Sequence, residues 1–207
     1  MLHNLLSFAV LAGVLTLIPG IDTAQLVRAV IVGGRKNGFI TEFGIIAGVY
    51  FWGITAALGI SALLLASHIA YTAIKIIGGL YLFYLGVKAI LDSRHISKES
   101  IDVSMRQKVT PWKSFTRALM ITITNPKNGV FYIAVLPQFL PDGYPPLLGG
   151  FLLATVHSLC CLIWQGFLIM SASFAREFMQ SPRAQKVLER VAGVTLIGFA
   201  ARIAVEG

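Results

Sequence analysis

Charge is what this sequence lacks. Only 13% of its 207 residues are Asp, Glu, Lys or Arg, and 56% are hydrophobic, with a mean hydropathy of +0.77. Charged residues make up about a quarter of a soluble domain, so this shortage excludes a water-soluble fold. Acidic residues are scarcer still, nine against 17 Lys and Arg, which leaves a net charge of +8. Cysteine is almost absent. Cys160 and Cys161 are neighbours within one apolar run, which excludes a disulfide framework and leaves them as small packing residues. A transmembrane redox protein, needing cysteines on separate helices, is disfavoured for the same reason. Strict polar/apolar alternation is missing too, which excludes a membrane β-barrel. The first four residues, Met1-Leu2-His3-Asn4, carry no Lys or Arg. The first apolar run therefore lacks a signal peptide's basic start and is expected to be retained.

Six apolar runs are present: Leu5 to Ile31, Phe43 to Ala66, Ile69 to Leu91, Ala118 to Leu140, Leu147 to Phe174 and Val187 to Val205. Each is long enough for a membrane span of roughly 20 residues, so the expected fold is an all-α integral membrane protein with six transmembrane helices. Fourteen of the 17 cations fall in three connections, near Arg35, between Lys88 and Arg117, and between Arg176 and Arg190. Cations dispersed in this way do not form the single basic face of a nucleic-acid binder. They follow the positive-inside rule, which puts those connections in the cytoplasm and both termini outside.

Internal comparison aligns Gly78-Gly79 to Gly86 of the third run with Ala192-Gly193 to Ala200 of the sixth, at an offset of 114 residues. Pro19 of the first run matches Pro126 of the fourth, 107 residues on. Two three-helix repeats are expected, residues 1–95 and 114–207, joined by a cytoplasmic connector 96–113. Three spans is an odd number, so the second repeat enters the membrane inverted, as in many secondary transporters.

Helices 1 and 4 are expected to be broken at Pro19 and Pro126, since proline removes a backbone donor and clashes with the preceding turn. Bare backbone is tolerated at membrane depth only where protein or a cavity covers it. Asp22 with Gln25 has the spacing of a capping box, and Asn125 before Pro126 has that of an N-cap followed by proline at N1. Two half-helices would then start at mid-membrane with their positive ends inward, where they attract an anionic group. Asp22 and Lys127 occupy equivalent places in the two repeats, and an ionisable residue within a membrane is by default a functional candidate. The expected substrate site is Gly20, Asp22, Gln25, Asn125 and Lys127, with Asp22 taking an ammonium group and Lys127 a carboxylate. Asp22 and His157 are the candidates for proton coupling, the latter because imidazole titrates near neutrality. Glu42 reads as a solvated interfacial charge, Gly44-x-x-x-Gly48 as a close-packing motif, and Trp52 as a residue without a special role. His157-Ser158 is the nearest approach to a hydrolase pair, but neighbours on a helix do not face each other. No metal or cofactor is called for.

The segments Leu17-Ile18-Pro19-Gly20-Ile21-Asp22, Gly33-Gly34-Arg35-Lys36-Asn37-Gly38, Gly78-Gly79-Leu80-Tyr81-Leu82, Asn125-Pro126-Lys127-Asn128-Gly129 and Leu136-Pro137-Gln138-Phe139 resemble the motifs of the LysE/RhtB family of bacterial amino-acid exporters. They stand in that family's order and spacing over almost the whole chain. One departure is Ile21, where the family commonly has a second proline. The resemblance implies export of amino acids or their derivatives from the cytoplasm through the bacterial inner membrane by proton antiport, which makes the outer side that holds both termini the periplasm. It also carries Asp22, Asn125 and Lys127 over as site positions. The partners implied are an amino acid and the lipid bilayer, with room for a homo-oligomer. The alternative is a membrane protein that transports nothing, such as a scaffold, which would not require charges beside mid-span prolines.

Overall fold

The computed structural model describes residues 2–95, 110–140 and 143–206; most of the expected connector, with Lys98, Arg106 and Lys108, lies outside the described residues. Among the described residues all regular structure is helical: α1 (Leu2–Leu17), α2 (Ile21–Ala66), α3 (His68–His95), α4 (Pro111–Thr124), α5 (Pro126–Phe139), α6 (Pro146–Met170), α7 (Ala172–Gln180) and α8 (Pro182–Glu206).

Eight helices replace the six expected, for local reasons. The first apolar run stops at Leu17 and restarts at Ile21, because Pro19 cannot continue the helical hydrogen bonding. The fourth splits in the same way at Asn125, which is extended (φ −73°, ψ 108°) ahead of Pro126. The fifth gives up its last turns to the separate α7, past Ser171. In contrast, the basic connection near Arg35 is no loop. Helix α2 runs through it in two limbs, interrupted only at Gly34 (φ 74°, ψ −179°), a conformation that glycine adopts without penalty.

Among the described residues three stretches are long and apolar enough to cross a membrane: Ile21–Leu63, Thr72–Arg94 and Pro146–Met170. Leu65, Ile69, Ile163 and Val194 are exposed on the outside of the bundle, a surface suited to lipid rather than water. The interior holds two apolar clusters. One gathers Phe8, Leu11, Phe131, Tyr132, Leu136 and Leu153. The other gathers Leu26, Val30, Ile45, Leu168, Ile169 and Phe178.

Glycines set the closest approaches. A Cβ on Gly44 would collide with the Phe115 carbonyl and Ala118, and one on Gly48 with Thr122, so the second limb of α2 lies directly against α4. Gly53 faces Gly150 where α2 crosses α6, and Gly86 faces Gly193 where α3 crosses α8. The close-packing reading of Gly44 and Gly48 thus finds its partner in α4. That contact positions the site.

Candidate functional site

At the α4/α5 break the sequence rules operate as expected. Asn125 is the N-cap of α5; its Oδ1 accepts from the Lys127 backbone N–H at 3.1 Å, and Pro126 occupies the first turn. A helix that ends inside the bundle leaves orphan carbonyls. That of Thr122 accepts from Trp52 Nε1 at 3.2 Å and from Asn128 Nδ2 at 3.5 Å. Trp52, read from the sequence as a residue without a special role, therefore holds the broken end of α4, and its ring also fills the space a side chain at Gly129 would take.

The α1/α2 break is built differently. The N-cap of α2 is Gly20, which has no side chain to offer, so the capping box expected from Asp22 and Gln25 does not form. Asp22 instead falls inside the first turn of α2, where a carboxylate complements the helix dipole. It reaches across to the other break. Its Oδ1 accepts from Thr122 Oγ1 at 3.1 Å, and its Oδ2 from Asn128 Nδ2 at 3.0 Å and Asn125 Nδ2 at 3.3 Å. Gln25, one turn further, has both amide atoms buried without a partner.

A cavity of about 230 Å³ opens where the two apolar clusters meet. Gly20 and Asp22 from the start of α2 line it, as do Asn125, Lys127 and Asn128 from the start of α5. Leu15, Ile18, Ile45 and Val49 supply apolar wall, and α6 contributes His157, Cys161 and Gln165. Of the residues singled out in the sequence, Gly20, Asp22, Asn125, Lys127 and His157 meet here, whereas Gln25 is not part of the lining. Lys127 and Asp22 share the cavity without a hydrogen bond between them. The carboxylate that acts most strongly on Lys127 is Glu189 of α8, with Asp22 second. His157 shares a 2.9 Å hydrogen bond through Nδ1 with the Tyr132 hydroxyl and is flanked by the rings of Phe8 and Phe131. Cys161 Sγ lies 3.8 Å from Thr16 Oγ1, and both cysteines are free thiols.

Glu42 overturns its expectation. It is 0% exposed, and neither carboxylate oxygen has a hydrogen-bond partner. The basic residues beside it in sequence imply an interface, but Gly38 lies against Ile169 of α6, and the second apolar cluster, with Ile169 and Phe178 of α7, encloses this part of α2. Sequence reasoning therefore missed Thr122, Asn128 and Trp52 at the site and the burial of Glu42 beside it. Only the first had a local signal, standing in the last turn before a break and needing its carbonyl satisfied.

A bundle with apolar outer faces, two helices broken at the same level and a charged cavity between the breaks defines a membrane transporter rather than an enzyme. The model of the LysE type translocator family matches residues 13–207, and the chain belongs to that family. Among its relatives, the uncharacterized membrane protein YrhP of Bacillus subtilis (strain 168) is 30% identical over 203 residues, covering 96% of this chain and 97% of its own. The leucine efflux protein of Salmonella typhimurium is 28% identical over 97% of this chain and 94% of its own, and that of Klebsiella pneumoniae 27% over the same shares. No solved structure matches the chain.

Proposed function

We propose that the protein exports amino acids with apolar side chains, leucine among them, from the cytoplasm through the cell's inner membrane, driven by protons moving inward. The observation that carries this reading is the cavity's composition. At the helix breaks it has an anion, a cation and two helix N-termini, and its remaining wall is largely apolar. A zwitterion with an apolar side chain is complementary to that lining. Its carboxylate pairs with Lys127 at the positive N-terminal end of α5; its ammonium group faces Asp22, with Gly20 and Asn125 keeping the breaks open. The leucine efflux proteins among the relatives support the same substrate class.

In this reading the chain crosses the membrane six times with both termini outside, α1 with the first limb of α2, and α4 with α5, each making one broken crossing. Residues 1–95 and 114–207 form the inverted halves. Support comes from α3 packing on α8 and the second limb of α2 packing on α4 and α6, contacts that join one half to the other. Alternating access is then a rocking of the halves about the breaks.

The test loads cells with leucine-containing dipeptides, whose hydrolysis raises internal leucine, and follows leucine in the medium. Cells overproducing the protein are expected to release it several-fold faster than cells carrying Asp22→Asn, and an uncoupler should remove the difference. Equal release with and without the protein, for leucine and every other apolar amino acid, would sink the reading.

A further inference from the structure

The cavity has a second polar tier that the substrate reading leaves unused. Gln25 lies one turn past the cavity residue Asp22 on the first limb of α2, and Gln165 one turn past Cys161 on α6. Glu42 lies three and seven residues before Ile45 and Val49, on the face of the second limb that lines the cavity. By charge distribution, all three lie on the cytoplasmic side of Asp22. All three also carry buried side-chain atoms with nothing to bond: both oxygens of Glu42, both amide atoms of Gln25 and Oε1 of Gln165. Buried polar atoms are satisfied in nearly every native structure. A cluster left bare beside a cavity, on three helix segments, is therefore a place where something from outside the protein binds.

We propose that Glu42 is the proton-exchange site that couples export to the proton gradient, a role resting on the exporter reading above. Compared with Asp22 and His157, the two cavity residues that the sequence put forward for proton coupling, Glu42 alone is unengaged. The Asp22 carboxylate is occupied by Thr122, Asn125 and Asn128, and the His157 ring is tied to Tyr132 between aromatic rings. The titratable groups electrostatically coupled to Glu42 are Asp22 from the first limb of α2 and the Cys161 thiol from α6. From α4, α6 and α7, Ala118, Leu168, Ile169, Ala175 and Phe178 close this end with apolar surface. A proton needs a single carboxylate oxygen, and Glu42 offers two that nothing else engages.

The exchange balances simply. With Glu42 as carboxylate, its field in this low-dielectric interior adds to that of Asp22 and favours the substrate's ammonium group. A proton entering from outside bonds to a Glu42 oxygen, cancels that charge and weakens the hold on the amino acid, which leaves outward. The proton then departs to the cytoplasm and the site is ready again. Occupancy by proton and by substrate is mutually unfavourable, which antiport requires.

The decisive experiment uses purified full-length protein in lipid vesicles with radiolabelled leucine. Glu42→Gln is expected to bind leucine more weakly, so that leucine/leucine exchange persists at raised leucine concentration, and to lose leucine movement driven by a pH gradient. Gradient-driven movement in that variant overturns the proposal, and so does loss of exchange in a variant that elutes and melts like the unaltered protein. Should Glu42→Gln not fold, the unaltered protein is treated with a hydrophobic carbodiimide, which couples to protonated buried carboxyls. Labelling mapped to Glu42 and reduced by leucine is the expected result, and an unlabelled Glu42 overturns the proposal. If the unaltered protein moves leucine in neither mode, the exporter reading fails by itself, and carbodiimide mapping still reports whether Glu42 takes up a proton.

Discussion

Asp22 and Glu42 are two carboxylates inside one helix, on either side of the Gly34 interruption, and their surroundings are opposites. Asp22 accepts from three side chains on α4 and α5; Glu42 accepts from none. The difference follows from where helices break. Around Asp22 two chains change direction, so capping residues and orphan backbone groups gather there with donors to spare. Glu42 sits about two turns into a continuous limb against other helices, where backbone groups are already paired with one another and the surface closing over it is apolar. A broken helix supplies partners for a buried charge, and an unbroken one does not. The first carboxylate accordingly belongs to the architecture of the cavity, while the second is free to change state.

The largest expected effect comes from replacing each in turn. Asp22→Ala strands three donors, each worth roughly 1–3 kcal/mol when left unpaired. Because the cavity admits water to some of them, a net loss on the order of 3 kcal/mol is expected, together with loss of leucine export. Glu42→Leu removes a bare carboxyl and fills its place with apolar volume, which is expected to stabilise by on the order of 1 kcal/mol. Thermal unfolding of both variants in detergent measures this. A fall for Glu42→Leu as large as that for Asp22→Ala would erase the distinction.

The same contrast explains what was legible in the sequence. Pro19, Pro126 and Asn125 act through their own backbone, so the breaks and one cap could be read from a few neighbouring residues. Gly44 and Gly48 announced a close contact but not its partner. Glu42 was misread because its neighbours Arg35 and Lys36 imply an interface; that α2 continues past Gly34, and that Phe178 of α7 joins the cluster enclosing this level, depends on tertiary packing. Trp52 and Thr122 meet across 70 residues of sequence. The failed capping box has a local cause: the N-cap of α2 is Gly20, two residues before Asp22, which frees the carboxylate to cross to the other break.

A middle-sized effect is expected where the two limbs of the site are pressed together. A Cβ at Gly48 would stand 2.6 Å from the Thr122 side chain, so Gly48→Val must push α4 away and draw the Thr122 hydroxyl off Asp22. Leucine export is expected to fall roughly tenfold, the equivalent of about 1.4 kcal/mol, with the protein still folded. Gly59→Ala is the control, since nothing lies within 4 Å of the added carbon, and it should export as the unaltered protein does. Equal losses in the two variants would mean that helix flexibility, and not the approach of α4, governs the site.

The smallest effect centres on one hydrogen bond. Trp52→Phe removes the donor to the Thr122 carbonyl, which retains Asn128 Nδ2 at the longer distance of 3.5 Å, and with it the outer part of the indole that lies over Gly129. The expected cost is about 1 kcal/mol, seen as a modest fall in melting temperature and a few-fold slower export. Asn128 also donates to Asp22. Pulling it toward the vacated carbonyl therefore weakens the very carboxylate contact that distinguishes Asp22 from Glu42. Combining Trp52→Phe with Asn128→Ala should consequently cost more than the two single changes added together, because each donor covers for the loss of the other. Strict additivity would show that the carbonyl at the end of α4 is satisfied by water from the cavity, and that Trp52 contributes through its ring alone.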